Sequence, residues 1–453
     1  MKNEKNIPMN VSENTAVSVR KVRAYAGLAA ALLLCCSLAV GCDRVPSGED
    51  GFDSETATQE VTSSEETRGE TTEEATTAPE EDSVPQETTA EDGEGATAEE
   101  DSETADPNGA DTMPEDPDYY KSEVKLFGKA TMLSANEFAG EYDSVFFKND
   151  GLMLIPGATE GSFVSEEIDL GGRFKNLLAS WNASSAGGTV EISVSVKLED
   201  GSFTGWYSWG VWSAIRGVSG SKSMEDQHGK VDIDTLTLKK ECGGIVRYKI
   251  DIKQTGDESP VVYNVTLSCD KKDSAVKAPA ETSKKLDVPY RRQGDVPEIG
   301  GSICSATSLS MVLLYHGEEG LDVADTAWGV RDYGAQKFGN WSYNVAYAGE
   351  LGYNAYIDYL DIDGIKYAIS KEYPIVCSIR VKAGQLAASG YPSYSTNGHL
   401  ICVVGYEERN GQKWLLINDP AHPEVKGMLE SDFANIYRGV SYVVQPRPEH
   451  SAE

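Results

Sequence analysis

Across residues 190–198 apolar and polar positions alternate strictly: Val190, Ile192, Val194, Val196 and Leu198 are separated by Glu191, Ser193, Ser195 and Lys197. A period of two places all five apolar side chains on one face of a strand. Glu199-Asp200-Gly201-Ser202 supplies turn residues, and a second strand-like run follows at Trp206-Tyr207-Ser208-Trp209-Gly210-Val211-Trp212. Further runs cover residues 231–238, 245–252 and 261–267. Many short strands with turn signals between them predict an all-β, jelly-roll-like sandwich over residues 119–270. The tryptophans fall on both parities of their strand, which reads as core filling plus a covered flank; a sugar-stacking platform for wall glycan is the alternative. Cys242 and Cys269 flank the last strands, and a disulfide between them stays open.

The period changes after residues 271–285, a polar stretch rich in Lys and Ala that reads as a linker. Residues 304–316 (CSATSLSMVLLYH) carry a helical pattern that stops at Gly317, and residues 342–351 and 365–373 carry two more. Strand-like runs then occupy 375–379, 399–406, 414–417 and 440–444. Helices first and an antiparallel sheet after predict an α+β domain over residues 286–446.

Charge separates the rest of the chain from these two regions. The 453 residues carry a net charge of −33, yet 27 of the 73 acidic residues, against two arginines, fall within residues 43–118. That segment has almost no aliphatic or aromatic residue, so it cannot bury enough apolar surface to offset the entropy of ordering. It reads as a solvated tether with a coil span of roughly 45–50 Å. The charge balance argues against nucleic acid as a partner, because phosphate binding needs Lys and Arg clusters and the folded part is expected to have none. Upstream, Arg20, Lys21 and Arg23 precede an uncharged run over residues 24–40 that ends in Gly41-Cys42. This order resembles a bacterial lipoprotein signal, which makes residues 1–42 the signal segment and Cys42 the lipidated residue. An uncleaved membrane anchor is the alternative. Either way, the folded regions are expected on the extracellular face of the membrane.

The residues able to do chemistry in the second region are few. Cys304 opens a helix pattern after the turn-prone Glu298-Ile299-Gly300-Gly301-Ser302. Helix N-terminal amides favour the thiolate and can receive an oxyanion. Cys377 and Cys402 sit inside apolar strands, where a thiol is packing. His316 lies on the Cys304 helix, roughly 18 Å along it, too far to be the partner base. His422 stands in a loop without support. His399 opens a strand after Asn397-Gly398, at a position expected to be exposed at the sheet's end, and Asp419 closes the next strand. A base with an orienting carboxylate is what a cysteine nucleophile requires.

Gln293, then Ser302-Ile303-Cys304-Ser305-Ala306-Thr307-Ser308, then Gly398-His399-Leu400-Ile401-Cys402-Val403-Val404-Gly405-Tyr406, then Ile417-Asn418-Asp419-Pro420 resemble the papain-like cysteine peptidases of family thirty-nine. That family includes the leader-cleaving domains of bacteriocin exporters. The resemblance covers about residues 286–446. It implies Cys304 as nucleophile, His399 as general base, Asp419 as its orienting partner and Gln293 as oxyanion donor, acting on a peptide or protein substrate with no cofactor. Ser305-Ala306 stands where relatives commonly carry Gly-Pro or Gly-Ala, a change expected to tighten the approach to the thiol. Two rival readings are an inactive peptidase fold that binds wall glycan or a protein, and a wall-peptide amidase.

The resemblance also makes a geometric demand. Asn410-Gly411 signals a two-residue hairpin between the His399 and Asp419 strands, and that register would pair Asp419 with Cys402, on the face away from His399. An odd shift, through a three-residue loop or a bulge, is needed to bring Asp419 diagonal to His399.

Overall fold

The computed structural model describes residues 124–447 apart from 186, 275, 393 and 423–425; the signal segment with Cys42 and the acidic tether lie outside the described residues. Strand content far exceeds helix content among the described residues.

The N-terminal region holds two antiparallel sheets. In the first, Met224–Glu225, Gly229–Asp232, Thr235–Cys242, Phe174–Ser184, Val261–Cys269, Gly151–Leu154 and Val145–Lys148 lie side by side in that order. In the second the order is Gly140–Asp143, Glu160–Ser165, Ile245–Gln254, Gly188–Val196, Tyr207–Trp212. Leu177, Ala179 and Trp181 of the first sheet share one buried core with Val190, Ile192 and Val194 of the second. Phe174–Ser184 carries no alternation in its sequence because it is buried on both faces from Leu178 to Ala183. Strands covered on both sides lose the polar half of the pattern.

Several local expectations change. Residues 231–238 are two strands, not one: Gly229–Asp232 pairs with Thr235–Cys242 around a turn at Ile233-Asp234. The Asp234 N–H donates to the Asp232 carbonyl at 2.9 Å, and Ile233 has φ of 66°, a γ-turn of the positive-φ form. Cys242 and Cys269 are unpaired. They flank the Phe174–Ser184 strand on opposite sides, opposite Phe174 and Leu177, and two strand spacings of about 4.8 Å exceed the reach of a disulfide. Trp209 and Trp212 are both fully buried. The ladder slips by one residue between Glu191↔Val211 and Ser193↔Ser208, at Gly210 with φ of 85°. This bulge returns Trp212 to the Trp209 face, so both rings are core and neither can stack on a sugar.

The C-terminal region is built on a third antiparallel sheet, ordered Tyr353–Tyr359, Tyr437–Pro446, Ile375–Val381, Thr396–Arg409, Gln412–Asn418, Lys426–Leu429. The helix Cys304–Tyr315 packs against it. Lys284–Lys285, within the expected linker, pairs with Gly405–Tyr406 and belongs to this sheet.

The two regions interlock. Helix Trp341–Glu350 sends Tyr343 and Ala346 into the N-terminal core. The free edge of Tyr353–Tyr359 would otherwise leave buried backbone groups unpaired. Side chains of the first sheet satisfy it: Asn182 bonds both the N–H and the carbonyl of Ala355, Ser180 accepts from the Ile357 N–H, and Ser268 accepts from the Tyr359 N–H.

Candidate active site

The helix bearing Cys304 starts where it does because Ile299, Gly300, Gly301 and Ser302 turn the chain. A Cβ on Gly300 would come within 2.5 Å of the Gln293 carbonyl oxygen, so only glycine lets this loop close. Ile303, the residue before the helix, offers no side-chain cap, which leaves first-turn amides free. The backbone amides of Ser305 and Leu400 lie close enough to the Cys304 sulfur to favour its thiolate. Cys304 is half-buried, whereas Cys377 and Cys402 are fully buried. Burial pushes Cys377 up to about 12 and Cys402 well above the ordinary thiol.

His399 is the fourth residue of the strand Thr396–Arg409 and is buried rather than exposed, because the chain before it folds Tyr391 and Tyr394 over the site. Its Nε2 lies 2.7 Å from Asp419 Oδ1, which leaves Nδ1 for the hydrogen bond with Cys304. Burial alone pushes the Cys304 thiol up, but the His399 hydrogen bond and charge pull it below its ordinary value. For His399, burial pushes down, and the hydrogen bonds to Asp419 and Cys304 outweigh it and raise the imidazole. Both shifts favour the same state, a thiolate beside an imidazolium.

The register that permits this combines the two-residue turn with the odd shift that the geometry demands, supplied here by a bulge rather than by a three-residue loop. Asn410 and Gly411 have φ of 50° and 73°, and Arg409 faces Gln412 across a two-residue loop. Between Gly405↔Leu416 and Val403↔Ile417 the ladder shifts by one, so Cys402 pairs with Asn418. Continuing that register sets Asp419 opposite Ile401, diagonal to His399. The carbonyl of the bulged Val404 accepts from the Leu286 N–H.

Asp419 is fully buried. Oδ1 also accepts from the Ala421 N–H at 2.9 Å, and Oδ2 accepts from Tyr391 at 3.0 Å and Tyr394 at 3.5 Å. Burial pushes this carboxyl up, yet the His399 hydrogen bond and charge hold it below the usual range. The tyrosines were not singled out from sequence; their spacing, eight and five residues before His399, was the available signal. His422 sits beside Asp419 Oδ2 at 3.8 Å, on the far side of the carboxylate from His399's bond. His316 caps the far end of the Cys304 helix, and burial lowers it to about 4.

Gln293 departs from the expected placement. Its Nε2 donates to the Gly300 carbonyl at 2.7 Å, and its Oε1 is buried without a partner. The side chain therefore bonds the loop that leads to Cys304 rather than the sulfur. Ser305 does not tighten the approach to the thiol: its hydroxyl turns inward to Asn344 Oδ1 at 2.8 Å and Tyr442 at 2.9 Å.

Cys304 opens into a cleft of about 930 Å³ whose walls come from both regions. The N-terminal region contributes Asp232, Ile233, Asp234 and Thr235; the C-terminal region contributes Ser302, Arg331, Lys337, Trp341, Arg380 and Arg438 among others.

Residues 285–444 match the model of the Peptidase_C39 like family, and residues 158–269 match that of the Peptidase C39 N-terminal domain. No curated protein matches the chain. Among solved structures the chain is similar to the peptidase domain of Streptococcus ComA, a bi-functional ABC transporter involved in a quorum sensing pathway. That pair is 19% identical over 34% of this chain and 97% of that one, with a TM-score of 0.24. It is also similar to a double glycine motif protease from an AMS/PCAT transporter, solved with the leader peptide, at 15% identity over 38% and 99%, TM-score 0.23. Xylellain, a cysteine protease from Xylella fastidiosa, is 14% identical over 37% and 87%, TM-score 0.23.

Proposed function

We propose that this chain, which carries a Peptidase_C39-like domain behind a C39 N-terminal domain, is a thiol peptidase that cleaves peptide or protein amides through a Cys304 thioester. The observation that carries the reading is the His399–Asp419 hydrogen bond with its imidazole acting on the Cys304 thiol at the wall of an open cleft. The thiolate attacks the amide carbon, and the carbonyl oxygen takes the negative charge. Helix N-terminal amides stand ready to receive it, with Gln293 Nε2 beside them once its side chain leaves Gly300. The Nδ1 proton of His399 goes to the departing amine, and the acyl group stays on sulfur. Water, deprotonated by the now neutral His399, attacks the thioester, which releases the acid and restores the Cys304 thiolate beside the His399 imidazolium. Asp419 keeps the imidazole oriented and stabilises its cation.

In this reading the two N-terminal sheets form a β-sandwich module, residues 43–118 tether the pair, and a lipid on Cys42 holds the protein at the extracellular face of the membrane. Cys42→Ala would then release the chain from the membrane fraction; unmodified Cys42 in mature protein with residues 1–41 still attached would overturn the anchor.

The test of the activity is digestion of a peptide library by the wild type and by Cys304→Ala, with labelling by a thiol-directed suicide probe. Cleavage and labelling should both vanish in the variant. Full cleavage by Cys304→Ala would refute the mechanism. Labelling of the wild type without cleavage of any peptide or protein would favour an inactive, binding relative.

A further inference from the structure

The cleft beside Cys304 gathers four cations that the sequence keeps apart: Arg331, Lys337, Arg380 and Arg438. In a chain with 73 acidic against 40 basic residues, four cations facing one cleft would ordinarily find carboxylates. Among the described residues none of the four forms an ion pair. The two carboxylates lining the same cleft act on Lys337 and Arg438 only through their charge, and their hydrogen bonds and ion pairs go elsewhere. Asp232 pairs with Lys230, and Asp234 is buried with its oxygens on the Trp341 N–H and the Thr235 hydroxyl.

Arg380 and Arg438 are the two best placed. Ile379 faces His399 on one side and Tyr437 on the other. The residues that follow, Arg380 and Arg438, therefore project from neighbouring strands at the level of the proposed base. Arg380 donates from Nε to the Asn397 carbonyl, and Arg438 from one terminal nitrogen to the Ser378 hydroxyl at 3.4 Å. Those bonds fix the side chains while leaving N–H groups of each fork unused. Burial, then the neighbouring Arg380, lowers the Arg438 guanidinium, and the buried Asp234 carboxylate opposes them without pairing with it.

We propose that the cleft recognises a carboxylate of the substrate peptide through Arg380 and Arg438, with Lys337 and Arg331 adding to the field, so that the preferred substrates are acidic next to the bond to be cleaved. Planar guanidinium forks bind carboxylates bidentately, and a charge-assisted hydrogen bond typically contributes about 1.5–3 kcal/mol, roughly ten- to a hundredfold in binding. This deepens the peptidase reading and rests on it for the word substrate. The carboxylate source is an Asp or Glu side chain or a free peptide C-terminus.

The test uses binding, so that it stands apart from turnover. Full-length Cys304→Ala is offered a randomised hexapeptide library in two forms, C-terminally amidated and free acid, at low salt, and bound peptides are sequenced. Enrichment of Asp and Glu over Asn and Gln by about tenfold in the amidated set, or of free acids over amides, supports the proposal and identifies the source. Arg380→Ala, which changes an exposed residue, should reduce the enrichment several-fold, and the Arg380→Ala/Arg438→Ala pair should abolish it. Should the pair fail to fold, raising the salt on the single-variant background must erase what enrichment remains. Carboxylate selectivity with no hydrolysis by the wild type would leave this inference standing and remove the peptidase reading. Hydrolysis with no carboxylate enrichment in either set, or enrichment unchanged in Arg380→Ala, would overturn it.

Discussion

His399 Nε2 meets Asp419 Oδ1 at 2.7 Å only because Val404 is bulged out of the ladder between their strands. The Asn410-Gly411 turn alone would aim Asp419 at the opposite face of the sheet. The bulge lies where the His399 strand changes neighbours, from Ile375–Val381 to Lys284–Lys285. Gly405 beside it admits the close backbone, since a Cβ there would sit 2.5 Å from the Lys284 carbonyl oxygen.

If Asp419 supports the His399 cation, Asp419→Asn removes the carboxylate that raises it. The hydrogen bond at stake is charge-assisted, so kcat/KM should fall by about ten- to a hundredfold. The sign of the pH effect follows: His399 loses its upward shift, and the basic limb of the Cys304 alkylation profile moves to lower pH. A profile identical to that of the wild type would remove Asp419 from the site.

Gln293 has two candidate duties, donation to an oxyanion and bracing of the loop through the Gly300 carbonyl. Loss of an oxyanion donor costs about 10²–10³ in kcat. We expect Gln293→Ala to show that loss with KM and melting temperature little changed. A fall in melting temperature with an unchanged kcat would assign Gln293 to the loop alone.

The candidate triad was legible in the sequence because each member has a local signature: a cysteine at a helix start, a histidine and an aspartate at strand ends, an Asn-Gly between them. The parts set by tertiary contact were not. Val404 is one valine in an unbroken apolar run, and the Leu286 N–H that its carbonyl meets comes from more than 100 residues away. Phe174–Ser184 lost its alternation to burial on both faces. The Ile233 turn carries no Gly, Asn or Pro, and its partners Trp209 and Trp341 lie in other elements. The cleft cations are likewise spread from residue 331 to 438 and meet only in the fold.

Asp358 offers a stability test at the junction of the two regions. Fully buried, it accepts from the Lys129 N–H and the Ser268 hydroxyl, while Oδ2 has no partner. Burial raises its pKa from 3.8 to about 6, so its contribution is fully present below the unfolded value and is lost as pH rises through the folded one. Asparagine does not titrate. Relative to the wild type, Asp358→Asn should therefore gain stability by about 1–2 kcal/mol between pH 5 and pH 8, read from denaturant midpoints. A difference that is constant with pH would mean that Asp358 does not titrate in this range.

Ile233 is the sharpest test of whether the N-terminal region shapes the cleft. A β-branched residue at φ of 66° is costly, on the order of 1–2 kcal/mol, and strain of this kind persists only where the surroundings enforce it. Here they do: the Trp209 indole N–H donates to the Asp234 carbonyl at 2.9 Å, and the Trp341 N–H donates to Asp234 Oδ2 at 2.9 Å. The turn is thereby pinned to the peptidase-like region with Ile233 in the cleft wall beside Cys304. Asparagine tolerates positive φ but gives up a half-buried apolar side chain, so the two effects largely offset. Ile233→Asn should hold its melting temperature within a few degrees while changing KM for a cleaved peptide several-fold and leaving the iodoacetamide reactivity of Cys304 in place. Unchanged KM across a panel of peptides would show that substrates do not reach this wall, and a large drop in melting temperature would show that the isoleucine is retained for packing.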